Sequence, residues 1–122
     1  MGYCLRSHAS AYNQAETVAW SRRRTPLLAV PGHIARAPVP GVEVDPSRAF
    51  VTAWKPADGA GLILRVWETA GQSAPLTIST RGFRKAVATD LLERDQHPIP
   101  ITEGRVSVDL RAHGFVVVRF LP

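Results

Sequence analysis

The chain has 122 residues, 45% of them apolar and 20% charged, with a net charge of +5 and a single cysteine. That length fits one domain with a real core, and the composition excludes a disordered or fibrous chain. One cysteine excludes an internal disulfide framework and any Cys-only zinc site, and the positive charge, almost all arginine, is dispersed apart from Arg22, Arg23 and Arg24 and reads as solvated surface.

In chain order, Tyr3–His8 reads as a short strand. From Ala11 the pattern turns helical, with Ala11, Ala15, Val18 and Arg22 on one face. Ser10 or Asn13 can accept the first free N–H groups, Glu16 lies near the positive end, and the three arginines sit at the negative end before Pro26 stops the helix. Residues 25–46 hold five prolines and two glycines and read as an extended connection laid over the surface, with Leu27, Leu28, Val30 and Ile34 seeking a dry neighbour.

From Phe50 onward the sequence predicts strands at Phe50–Lys55, Leu62–Glu68, Leu76–Thr80, Lys85–Thr89, Arg105–Arg111 and Phe115–Leu121, divided by turn residues. The fold class is therefore mainly β, an antiparallel β-sandwich with one short N-terminal helix. Residues 1–122 are read as a single domain, with strand, helix and connection over 3–46 and strands over 47–122. RVSVDLR turns Val106, Val108 and Leu110 inward, and Pro98 and Pro100 place HPIPI at an edge. Two strands break the wet and dry alternation. Leu62, Leu64 and Val66 share one face while Ile63, Arg65 and Trp67 share the other, and Phe115–Leu121 is apolar on both sides. Such strands are expected at the centre of a sheet, with the second face covered by a layer from outside the chain.

Chemistry-bearing patterns are sparse. His8, His33, His97 and His113 lack the spacing that sets two ligands on one metal, so no metal site is expected. There is no GxSxG elbow, no P-loop and no predicted pair of carboxylates for glycoside chemistry, so no catalytic residue is assigned. No ribonucleoprotein or helix-turn-helix pattern supports nucleic-acid binding. Apolar runs such as FVVV fall far short of the roughly 20 residues that span a bilayer, and MGYCLRSHAS has no apolar signal segment, so a cytoplasmic protein without a membrane partner is expected. Arg65 must either lay its stem over its neighbours or pair with a carboxylate on something packed against it. Trp54 and Trp67, read as near neighbours across the hairpin, are candidate stacking platforms for a sugar if exposed, and core if not.

The stretch VTAWKPADGAGLILRVWETAG resembles the lysine-then-GLILR hairpin near the C-terminus of family 38 glycoside hydrolases, the zinc-dependent retaining α-mannosidases. YCLRSHASAYNQAETVAW followed by TPLLAV is similar to that family's strand, helix and proline-leucine turn, and ATDLLER and GRVSVDLRAHGFVVVRFL are similar to its closing strands. The resemblance implies a non-catalytic C-terminal β domain that supports a separate catalytic part in mannoside hydrolysis. The nucleophile and the zinc ligands of that family lie in a barrel with no counterpart here, so no cofactor is implied for this chain. Lys55, Arg65, Trp54 and Trp67 become the candidate interdomain or sugar contacts, and Gly61 lies with them in the hairpin. The implied partners are a mannosidase catalytic polypeptide, a second copy of the chain, or mannosides. The alternative is a stand-alone carbohydrate-binding module using exposed tryptophans.

Overall fold

In a computed structural model of the protein, described over residues 14–23 and 41–122, those residues form one helix and eight strands. Helix α1 covers Gln14–Arg23 with Glu16 in its first turn, where a carboxylate meets the positive end of the helix dipole. The strand expected at Tyr3–His8, both proposed caps and most of the connection over 25–46 lie outside the described residues.

The connection is corrected at its end. Gly41–Val44 is a strand, β1, which pairs antiparallel with Ala74–Arg81, β4. Val42 and Val44 pack against the core, and this burial outweighs the weak local pattern of GVEV between two prolines. The turn after β1 is fastened by Asp45, whose carboxylate accepts from the Ser47 N–H (2.8 Å) and Oγ (2.7 Å). Next to it the Arg48 guanidinium donates to the carbonyls of Pro75 (2.9 Å) and Ala74 (3.3 Å), tying this turn to β4.

The remaining strands are β2 (Ala49–Pro56), β3 (Leu62–Glu68), β5 (Lys85–Thr89), β6 (Asp95–Ile99), β7 (Arg105–Leu110) and β8 (Phe115–Leu121). Two antiparallel sheets result, one in the order β1-β4-β7 and one in the order β2-β3-β8-β5-β6. The two strands read as apolar on both sides, β3 and β8, are indeed adjacent and central, and HPIPI lies in and beside the edge strand β6.

Between the sheets, Leu64, Val66, Ala86, Val118 and Phe120 from the larger sheet meet Leu76, Ile78, Val106, Val108 and Leu110 from the smaller. The strict alternation of RVSVDL puts Val106, Val108 and Leu110 in this layer. Phe120 is its largest fully buried side chain, worth about 3 kcal/mol of apolar transfer. Phe83 packs on it at 5.1 Å between ring centroids, and Trp54 meets both rings edge-on, at 6.0 and 6.3 Å.

A β-bulge interrupts the pairing of β2 with β3 between Val51 and Ala53. It explains why AFVTAWK does not alternate, because the extra residue shifts the phase of the strand. Phe50 pairs with Trp67 before the bulge, whereas Trp54 pairs with Leu64 after it and is turned into the core.

Candidate functional site

The outer face of the larger sheet, the side of β3 and β8 away from the smaller sheet, carries the candidate contacts. Ile63, Val117 and Ala57 form a second buried cluster there, with Ile63 wholly inaccessible. The turn joining β5 to β6, residues 90–94, is drawn onto this face by three cations. Arg65 donates to the Leu91 carbonyl (3.3 Å), Arg119 donates to the Glu93 carbonyl (2.8 Å), and Lys55 Nζ lies 2.7 Å from Glu93 Oε1. Arg65 Nη2 is also 3.7 Å from the same carboxylate oxygen, and Arg119 pairs with Asp95 at 3.3 Å.

The turn is itself tightly built. The Asp90 carboxylate accepts from the N–H of Leu92 (2.9 Å), the N–H of Arg94 (3.0 Å) and Arg94 Nε (2.7 Å). The Arg94 backbone hydrogen bond, with help from the guanidinium and Leu92, holds the Asp90 carboxyl below its ordinary range. Glu93 takes a left-handed backbone with φ of 65°, a conformation that costs a non-glycine residue about 1–2 kcal/mol and that the surrounding ion pairs hold in place. The construction leaves Leu91 60% and Leu92 74% exposed.

Beside the turn, Trp67 and Phe115 form a cross-strand pair with rings nearly parallel, 11° apart, and centroids at 5.9 Å. Phe115 remains 49% exposed. The two rings line a groove with Gln14, Thr52, Arg65 and His113, so the start of α1 lies along it. The exposed apolar groups of this face therefore come from two sources, the leucine turn and the aromatic pair, on either side of Arg65.

At the end of β3, Glu68 is fully buried. Its Oε1 accepts from the Ala70 N–H (2.9 Å), and its Oε2 accepts from the N–H groups of Gly71 (2.8 Å) and His113 (2.9 Å). Burial pushes this carboxyl up, but the amides of His113, Gln72, Ala70 and Gly71 together outweigh it and hold the group below its ordinary value. Glu68 thus fastens the two turns at the His113 end of the aromatic groove. No charge pattern in ETAGQS marks it, because the His113 donor comes from 45 residues away.

The expected neighbourhood of Trp54 and Trp67 is corrected. The bulge places Trp54 on the inner face and Trp67 on the outer, and neither ring stands exposed. Lys55 and Arg65 do come together, joined through Glu93, and the carboxylate foreseen opposite Arg65 belongs in this structure to the same chain. Gly61 has φ of 96°, and a Cβ there would collide with the Phe120 carbonyl oxygen and the Leu121 side chain, so its presence follows from close packing on β8. Among the described residues there is no group of three or more His, Cys, Asp or Glu side chains placed to hold a metal ion. No helix among them is long and apolar enough to cross a membrane.

This arrangement can be set beside known families. The profile of the glycosyl hydrolases family 38 C-terminal beta sandwich domain matches residues 49–113, more than half of the chain. The chain belongs to this family. Compared with individual proteins, it matches no curated sequence and no solved structure. The family 38 match runs from the start of β2 to the turn after β7 and includes Lys55, Arg65, Glu68 and the leucine turn. Strand β8 lies beyond its end, yet pairs with both β3 and β5 at the centre of the larger sheet.

Proposed function

We propose that this family 38 domain is a non-catalytic C-terminal part of an α-mannosidase, which supports a separate catalytic part in mannoside hydrolysis. The observation that carries this reading is the outer face of the larger sheet. A turn fastened by ion pairs holds Leu91 and Leu92 outward, and the half-exposed Phe115 rests on Trp67 nearby. Rigid exposed apolar groups rimmed by charges are the usual mark of a protein contact. Arg65 contributes by holding the turn, and Ile63, being fully buried, contributes only to the fold. On this reading, the carboxylates and the zinc of hydrolysis reside in the catalytic part.

The test is to isolate the chain from its native host under mild conditions and identify by mass spectrometry what accompanies it. A barrel-containing mannosidase polypeptide is the expected companion, and the double variant Leu92→Lys, Phe115→Lys should lose it while remaining folded. Recovery of the chain alone as a monomer would overturn the proposal.

A further inference from the structure

The two sheets have four edges, and three are blunted against further pairing. Strand β6 carries Pro98 and is followed by Pro100, β2 is broken by its bulge, and β1 is four residues long. The fourth edge, β7, has none of these features.

The register fixes which of its backbone groups are free. Pro75 lies opposite Asp109, and because proline has no N–H, this is a non-hydrogen-bonded pair. The alternation then makes Val106, Val108 and Leu110 the residues bonded to β4, and it turns the N–H and C=O of Arg105, Ser107 and Asp109 outward. Arg105 confirms the phase, since its N–H and C=O both bond to Thr102, each at 2.9 Å. Ser107 and Asp109 have no such backbone partner among the described residues.

Along this edge runs a cleft of about 570 Å³, lined by Pro98, Ile99, Val108 and Val116 and opening beside Ser107 and Asp109. Strand β7 thus offers what an added strand requires, with donors and acceptors in line and an apolar hollow for every second side chain. On its solvent side the edge carries Arg105, Ser107, Asp109 and Arg111 in one row, a charge pattern that fits carboxylates at the two ends of the incoming segment and none beside Asp109.

We propose that the β7 edge is completed by an extended strand of the larger mannosidase polypeptide, with apolar residues at alternate positions and acidic residues at its ends. This rests on the functional reading above, since a domain whose family is described by its C-terminal place in a hydrolase has the rest of that hydrolase as its neighbour. It adds a contact made through the backbone, along a cleft that Leu91 and Phe115 also line, so the added strand and the leucine turn belong to one continuous surface.

The experiment uses the mannosidase polypeptide recovered with the chain. Ser107→Pro removes one outward N–H and leaves the bonds to β4 untouched, so its thermal midpoint should stay within a few degrees of wild type while affinity falls at least tenfold. In parallel, hydrogen exchange on the wild-type chain should show the Ser107 and Asp109 amides fast when free and slowed at least tenfold in the complex. If the complex forms but those amides stay fast, or if folded Ser107→Pro binds as wild type, the edge proposal fails and the functional reading stands. Failure to recover any mannosidase polypeptide overturns both. A dimer of the chain abolished by Ser107→Pro would assign the edge to a second copy and overturn this proposal.

Discussion

A carboxylate shut away from water is tolerable only where donors replace its hydration, and around Glu68 these are backbone amides. Because its folded pKa is lowered from 4.5, the unfolded chain binds the proton more readily. The stabilisation is therefore fully present above that ordinary value and is lost as pH falls through the lower, folded one. Urea unfolding between pH 3 and 6 should show an acid loss of stability that Glu68→Gln flattens. At pH 7, Glu68→Ala should cost about 3 kcal/mol, since it strands several buried N–H groups at once. Gly61→Ala is expected to cost about 3 kcal/mol as well, for a different reason: the new methyl meets the β8 backbone while φ is positive. Of these two residues, only Gly61 stood out in the sequence, from its place in the hairpin that resembles family 38. Glu68 did not, because a strand-end glutamate looks the same whether its donors are water or a distant turn.

For the strands, legibility followed how directly burial shows in the local pattern. β3 and β8 could be read because they lie inside the larger sheet and are apolar on both faces, and β7 because its strict alternation reports one buried face. β1 could not, since its valines are buried by tertiary contact and four residues are too few to show a period. The turn at 90–94 was also illegible as a structural unit. Its leucines break the rule that turns are polar, and its fastening by Lys55, Arg65 and Arg119 joins positions far apart in sequence. Leu92→Ser should change stability by less than about 0.5 kcal/mol, because the side chain is 74% exposed. The same change should weaken binding to the mannosidase polypeptide at least tenfold, measured by titration calorimetry. Equal binding would remove the leucine turn from the interface.

At the scale of the molecule, the sandwich class was readable because inward and outward residues alternate between frequent turns, whereas the identity of a neighbour was not. A sequence records that a face is apolar, but the chain covered part of that face itself, with Ile63 and Val117 beneath the 90–94 turn. What is left uncovered is narrower than the sequence implied and centres on Leu91, Leu92 and Phe115. The isolated chain should accordingly self-associate as its concentration rises, and Leu92→Lys with Phe115→Lys should suppress this in sedimentation velocity. If association is unchanged in the double variant, another surface governs it.

The bulge at Thr52 behaves like a spare letter in a line of text. Remove that one residue and Val51 and Ala53 become neighbours opposite Val66 and Arg65, so the ladder runs on unbroken, with Trp54 still turned inward and Lys55 outward. Insert a second residue there, with the pairs beyond it held, and the bulge only widens. The register of this hairpin is carried by the pairs on either side of residue 52, so a chain lacking it keeps every one of them and reads as a strand of plain alternation.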